Sequence, residues 1–335
     1  MAGAALAGGG GEGGASSAGE ETGTKRMKGR FLEDLDLSVF SVESATSEND
    51  KRSLLRLQKL VSGSVAQYSY LEIGSDQGGS LVPILRDQNC AHAISVDLRP
   101  EKQPDERGIS FYYPLDGEAR MLDNLRGCLR PDELDRLRIF RCDIRDVDVA
   151  DVPKIDLALI DGEHTNTACF SDADRMLDFV NDDSVITFHD SNLIDDAIQN
   201  FERMLSRLKI DHSTVLLPDK VAAIGLGKFA KAITAQLGFL SAPRSDFFAD
   251  AQLNRWISIA NSIRNRGLLP DQNEQTKSEI SALLSQLICE KRESEKLRRE
   301  MESARRQVDM LLQSTSWKIT EPLRRGASLF KRTLK

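Results

Sequence analysis

Between residues 68 and 227 short apolar runs alternate with longer stretches of helical spacing. The runs fall at 70–73, 93–96, 137–140, 155–160, 185–188, 213–217 and 221–226. Several are apolar almost without interruption, as strands must be when helices cover both faces and neither face meets water. Apolar positions recur at helical intervals over 54–61, 80–86, 118–128, 170–180 and 193–208, which predicts helices there. Strands alternating with helices of that length predict an α/β fold: a doubly wound, seven-stranded, mainly parallel sheet. The last two runs are separated by Pro218-Asp219-Lys220 alone, so they read as a hairpin that makes one edge strand antiparallel.

On either side of this region the pattern changes. Residues 1–24 hold nine of the 23 glycines, with too little apolar surface to offset the entropy of ordering, so 1–30 is expected to be a disordered Gly/Ala-rich tail. The patterned domain is expected over 31–228 and a helix-leaning extension over 229–270, with Trp256, Phe247 and Phe248 as packing anchors. From 271 to 313 Gly and Pro are absent. With Ile280 as an a position, the a/d series is Ile280, Leu283, Leu287, Glu290, Ser294, Leu297, Met301, Ala304, Val308 and Leu311, eight of the ten apolar. That period predicts a coiled-coil helix and a homo-oligomer, against the simpler reading of one long helix lying on the body of the protein. In 314–335 Thr320 can cap a helix whose face carries Leu323, Ala327, Phe330 and Leu334, and six cations against Glu321 leave a net charge of +5. Such a basic amphipathic helix, with Trp317 beside it, suits an anionic membrane surface; it suits a solvated or partner-bound tail equally well.

Charge and composition narrow the classes. With 45 Lys+Arg against 52 Asp+Glu the formal net charge is −7, which argues against a protein built around nucleic-acid phosphates. The 40% hydrophobic and 29% charged content is that of a globular domain. No run approaches the ~18 to 20 apolar residues of a spanning helix. Residues 1–14 have neither the basic flank nor the apolar centre of a secretory signal. The five cysteines (Cys90, Cys128, Cys142, Cys169, Cys289) are scattered, with no CxxC pair, and predict reduced thiols and a cytoplasmic location. There is no GxSxG elbow, HExxH helix or GxxxxGK[ST] loop.

Candidate chemistry begins after the first strand, in Glu72-Ile73-Gly74-Ser75-Asp76-Gln77-Gly78-Gly79-Ser80. Gly74 permits a tight exit from the strand, and Gly78 and Gly79 are expected to leave room for a ligand against the backbone. The spacing is not GxGxxG, so the dinucleotide fingerprint fails. Asp97 ends the second strand, where a carboxylate can accept both ribose hydroxyls of a nucleoside bound at the switch point. These residues resemble the cofactor site of class I S-adenosylmethionine-dependent methyltransferases, Rossmann-like enzymes. The resemblance implies that Glu72, Gly74, Ser75, Gly78 and Gly79 build the cofactor loop, that Asp97 holds the ribose, and that Asp143, after the third strand, and Asp161, after the fourth, complete the cofactor site.

A second constellation lies at two further strand ends: Asp161-Gly162-Glu163-His164 and His189-Asp190, which take two of the chain's four histidines. Asp161, His189 and Asp190 could form an oxygen/nitrogen set for a divalent ion, magnesium or manganese, leaving positions for substrate oxygens. His164 could accept a proton from a bound hydroxyl, which is too weak an acid to react unaided near neutral pH. Asp161-x-x-His164 followed by His189-Asp190 resembles the metal-dependent O-methyltransferases that act on macrolide sugars, and the related cephalosporin-hydroxylase group. That resemblance implies a His base and an Asp, Glu, Asp metal set; here His189 stands where the group often has Glu, and imidazole is a poor magnesium ligand. The segment Ser314-Thr315-Ser316-Trp317-Lys318-Ile319-Thr320-Glu321-Pro322-Leu323-Arg324 resembles a tail found in bacterial enzymes of surface-polysaccharide assembly. Together these imply O-methylation of a glycan hydroxyl, or of a sugar precursor, at the inner face of a membrane. The rival readings are a cofactor-binding scaffold without catalysis, in which the coiled coil carries the function, and a hydroxylase-like relative on the same fold.

Overall fold

The computed structural model describes residues 35–108, 110–114 and 116–265. The tail expected at 1–30, the coiled coil at 271–313 and the basic helix at 314–335 therefore lie outside the described residues. The chain divides into two compact units, 1–259 and 260–335, and the sheet with its covering layers belongs to the first.

Helix α1 (Glu48–Ser62) opens the described fold, capped by the Ser47 hydroxyl, which accepts from the Asp50 amide at 3.1 Å. Next come β1 (Tyr68–Ile73), α2 (Leu81–Arg86) and β2 (Cys90–Val96). A small antiparallel hairpin, β3 (Lys102–Pro104) and β4 (Ser110–Tyr112), precedes α3 (Gly117–Cys128), α4 (Pro131–Leu134), β5 (Leu137–Phe140) and β6 (Ile155–Ile160). Then come α5 (Asn166–Met176), β7 (Val180–Phe188), α6 (Asp195–Leu208), β8 (His212–Leu216), β9 (Ala222–Leu226), α7 (Lys228–Leu237) and α8 (Arg244–Asn265).

The main sheet has seven strands in the order β5-β2-β1-β6-β7-β9-β8, parallel except where β9 pairs antiparallel with β7 and with β8. The doubly wound, mainly parallel sheet expected from the sequence is thus present, with one correction. The antiparallel strand is β9, which sits inside the sheet, and the edge strand β8 runs with the parallel set. Strand β9 can go inside because it is the more apolar partner, buried at every residue, whereas the first three residues of β8 are only half-buried.

Two apolar layers sandwich the sheet. On one face Ile73, Ile94, Ile160 and Phe188 pack with Met176 of α5, Phe201 and Leu205 of α6 and Phe247 of α8. On the other Tyr70, Ala93, Leu159 and Val185 pack with Leu57 and Leu60 of α1, Leu81 of α2, Met121 of α3 and Phe229 of α7. Phe247 is buried and Phe248 packs against the core, as expected, but Trp256 is 61% exposed and anchors nothing in this unit. Among the described residues no helix is long and apolar enough to cross a membrane.

The order reverses between β1 and β6, whose neighbouring carboxyl ends open a crevice above the sheet. In an open α/β sheet that is where ligands bind, because adjacent crossovers leave on opposite faces and nothing of the fold fills the gap.

Candidate active site

A cleft of about 430 Å³ lies at this switch point, lined by Gly74, Asp76, Asp97, Arg99, Tyr113 and Asp161 among others. Gly74 turns the chain out of β1 at φ 85°, and a Cβ there would stand 2.2 Å from the Asp161 carbonyl oxygen, so only glycine lets β1 and β6 end side by side. The other two glycines have a different reason from the one expected. A Cβ on Gly78 would meet Met121 and Leu125 of α3, and one on Gly79 would meet Ser44. Both accommodate the protein's own chain, and neither lines the cleft.

Asp97 faces the glycine turn as its strand-end position required. One of its oxygens accepts from the amides of Ser75 (3.1 Å) and Asp76 (3.3 Å), the other from the amide of Arg99 (2.9 Å). It therefore ties the turn to β2, and a ribose bound here must share its remaining lone pairs. Ser75 is buried, its hydroxyl 2.6 Å from that of Ser95. Glu72 is fully buried; it accepts from the hydroxyls of Tyr70 (2.7 Å) and Ser80 (2.8 Å), and so holds the far end of the loop without reaching the cleft. Burial pushes its carboxyl up to about 7. Asp143 is not among the cleft-lining residues: its carboxylate caps the turn Ile144–Asp146 and pairs with Arg145 at 2.5 Å. The strand before it ends at Phe140, and the intervening residues carry Asp143 into its own local turn.

Asp161 joins the cleft to the second constellation. Its Oδ1 lies 3.0 Å from His189 Nδ1 and 3.4 Å from His164 Nε2, which is itself 3.4 Å from Asp190 Oδ2. One ligand-type atom from each of Asp161, His164 and Asp190 falls within 4.8 Å of the others. In that set His164 stands where His189 was expected. His164, read as the base beside a metal, occupies the corner between the two acids. His189, read as a ligand, is buried behind it, with Nδ1 on Asp161 and Nε2 facing Asp50 Oδ2 at 3.6 Å. A carboxylate can only accept, so Nδ1 of His189 carries the hydrogen between them and its lone pair is not free to ligate.

Burial alone would discharge these groups, yet the opposite charges prevail. Desolvation raises Asp161 and Asp190, but His189 and His164 hold both below the usual carboxylate range. Desolvation lowers both histidines, and Asp161 outweighs it, raising His164 and, more strongly, His189. Tyr113, at the cleft wall, is pushed up to about 12 by burial and then by the acids Asp76, Asp161, Asp97 and Asp190 around it.

Two residues at this site carried no motif. Asp50, in the first turn of α1 and fully buried, accepts from the Lys220 amide at 2.9 Å and from the Ser47 hydroxyl at 2.8 Å. Lys220, in the turn between β8 and β9, places Nζ 2.8 Å from Asp190 Oδ1. The only sequence signal for Asp50 was the Ser-x-x-Asp start of a helix, and Lys220 was visible as a turn residue alone. Backbone strain marks the same region. Of the five non-glycine residues with positive φ among the described residues, Asp76, Arg99, Asp190 and Asp219 surround the cleft and this corner, and only Lys209 is a helix cap.

Residues 71–191 match a family model described as "Methyltransferase domain". No curated protein matches the chain. Among solved structures, the calicheamicin methyltransferase CalS11 is similar at 15% identity with a TM-score of 0.42, over 66% of this chain and 99% of its own. The N-methyltransferase NodS from Bradyrhizobium japonicum WM9, in complex with S-adenosyl-l-homocysteine, is similar at 12% identity and 0.35, over 61% and 96%. TrmK from M. capricolum, also with S-adenosyl-homocysteine, is similar at 12% and 0.36, over 69% and 94%. Likenesses this distant do not distinguish one acceptor from another. The family match falls on 71–191, the segment that carries the glycine turn, Asp97, Asp161 and the His189-Asp190 pair.

Proposed function

We propose that the protein transfers a methyl group from S-adenosylmethionine to a hydroxyl, on a sugar of a surface glycan or of its lipid-linked or nucleotide-linked precursor. One observation carries this reading: Asp161 both lines the cleft and contacts His164, so a cofactor and a proton acceptor meet at one side chain. The cleft suits the cofactor's chemistry, since Asp76, Asp97 and Asp161 line it and a sulfonium is a cation. When bound, S-adenosylmethionine supplies a methyl group that leaves a sulfonium without acid catalysis. The chain has then to place the acceptor, exclude water and take one proton. The His164 ring takes that proton on the nitrogen that does not face the acids, since Nε2, between Asp161 and Asp190, already carries a hydrogen, and the two acids stabilise the imidazolium that results.

A divalent ion at Asp161, His189 and Asp190 does not fit the residues present. His189 offers Asp161 a hydrogen rather than the ion a lone pair, and Asp190 already holds an ammonium. No step here runs through a metal. The coiled coil expected at 271–313 would make oligomers, and the helix expected at 314–335 would bring the enzyme to the inner face of a membrane; both rest on sequence alone.

Replacing His164 with Ala is expected to cut turnover by about 10²- to 10⁴-fold while leaving cofactor affinity, measured by calorimetric titration, nearly unchanged. Unaltered turnover would remove His164 from the role of base. Incubating the wild type with S-adenosylmethionine and a panel of sugar acceptors should release S-adenosylhomocysteine. Its appearance would exclude a hydroxylase, and cofactor binding without it would favour the scaffold reading.

A further inference from the structure

The corner formed by Asp161, His164 and Asp190 has the compactness of a metal site, but one of its two acids is already paired with a cation. Three carboxylates converge there, from Asp50, Asp161 and Asp190, and each faces a cation or an imidazole at ion-pair distance, although Asp190 Oδ1 and His189 Nε2 make no hydrogen bond. Asp161 and Asp50 flank His189, and Asp190 Oδ1 lies 2.8 Å from Lys220 Nζ. Where the resemblance implies three carboxylate ligands, two acids remain, one of them paired with a fixed positive charge.

Lys220 is not a stray surface residue that happens to touch an acid. Its amide donates to Asp50 Oδ1 at 2.9 Å and its carbonyl accepts from the Ser191 amide at 3.0 Å. The backbone that carries it is thereby bound to α1 on one side and to the residue after Asp190 on the other. The preceding residue, Asp219, has φ 66°, and its carboxylate shares the single Ser47 hydroxyl hydrogen with Asp50, both lying 2.8 Å from that oxygen, so the turn is tied to the first turn of α1. From this anchored root the side chain reaches the buried Asp190 while staying 44% exposed. An ammonium half in water and half in a buried acid pair can meet an acceptor oxygen without being desolvated first. Both Asp50 and Lys220 lie outside the 71–191 segment that defines the family match.

We infer that Lys220 is the resident cation of this site, placed by Asp50 and the β8–β9 turn to hold the negative charge that builds on the acceptor oxygen, so that the protein works without a divalent ion. The acceptor half of this inference rests on the methyl-transfer reading above; the metal half does not. A histidine where the resemblance implies a third carboxylate and an ammonium beside Asp190 act in the same direction, since both lower the negative charge that would draw in a bound ion.

Manganese titration followed by electron paramagnetic resonance tests the metal half on the full chain. The wild type is expected to bind no Mn²⁺ at micromolar concentration. The double variant His189→Glu with Lys220→Met is expected to gain a site, with an apparent Kd at least tenfold lower than the wild type's. Micromolar binding by the wild type that Asp190→Asn abolishes would overturn the inference, and so would a double variant, folded by circular dichroism, that binds no better. The acceptor half is read in turnover. Lys220→Met should lower kcat by at least tenfold with cofactor affinity unchanged, Lys220→Arg should restore part of it, and chelator should change nothing. Full activity in Lys220→Met, or loss of activity in chelator, would refute Lys220 in this role. If no methyl transfer is found at all, the manganese result still stands by itself.

Discussion

Glu72 carries a carboxyl into the middle of the sheet, where two hydroxyls donate to it and bulk solvent does not reach. With the folded value near 7 and the ordinary one at 4.5, the folded protein keeps a proton that the unfolded chain releases between those two pH values. The stability this contributes is complete below pH 4.5 and is lost as pH rises through about 7, on the order of 3 kcal/mol at about 1.4 kcal/mol per unit. Replacing Glu72 with Gln keeps an oxygen for Tyr70 and Ser80 and removes the titration. The drop in melting temperature between pH 5 and pH 8 should therefore be smaller in Glu72→Gln than in the wild type; equal drops would show that the carboxyl is not protonated in the fold. His164 works in the opposite sense for activity. As a base it must lose its proton, and Asp161 and Asp190 raise the pH at which it does so, so turnover should climb with pH along a limb centred above 6.5. Removing one of those acids in Asp190→Asn should move the limb to lower pH, and a limb that stays put would mean another group is titrating. At this scale the sequence named the right residues more reliably than their roles. His164 and His189 were visible as a spacing, but which imidazole lies in front of the other depends on α1, whose Asp50 turns His189 inward.

Elements decide the rest, and Gly74 shows how. Its motif was legible, but the reason for it is the approach of β1 to β6. An alanine there would combine an unfavourable positive φ, costing roughly 1 to 2 kcal/mol, with a Cβ only 2.2 Å from a backbone oxygen that cannot move without breaking the sheet. Gly74→Ala should lose several kcal/mol in urea unfolding. Gly78→Ala, whose Cβ would press only on the movable side chains of Met121 and Leu125 at 3.0 to 3.2 Å, should lose less. Equal losses would mean that the strand contact is not what demands glycine. The β3–β4 hairpin shows the limit of pattern reading. Three-residue strands carry no period, yet this hairpin bonds to the loop of His164, through the Glu106 amide to the His164 carbonyl at 3.0 Å and the Asn166 amide to Glu106 Oε1 at 2.7 Å. It thus braces the proposed base from a part of the chain with no legible signal. Helix α5 ends at Met176 where periodicity alone ran to 180, because Val180 is needed as the first residue of β7.

For the molecule as a whole, alternation of apolar runs and helices was sufficient to give the sheet, since each buried strand must be apolar on both faces and each crossover must be long enough for a helix. It could not give the place of β9, because a hairpin reads the same whichever of its strands joins the sheet; burial along β9 decides that. Beyond 265 the apolar pattern alone speaks for oligomerisation. A seam of eight apolar residues among ten a/d positions between 280 and 311 leaves a stripe that water would have to cover in a lone helix. Burying each large aliphatic side chain is worth about 1.5 to 3 kcal/mol, enough over several heptads to exceed the cost of association. The full chain is therefore expected to sediment as an oligomer at micromolar concentration, and a chain ending at residue 269 as a monomer that still binds S-adenosylmethionine. Leu287→Glu with Leu297→Glu, at two seam positions, should dissociate the full chain while leaving its affinity for S-adenosylmethionine unchanged. A full chain that sediments as a monomer would mean the seam is covered within one chain, and the oligomer would have to be abandoned while the methyl-transfer proposal stood unchanged.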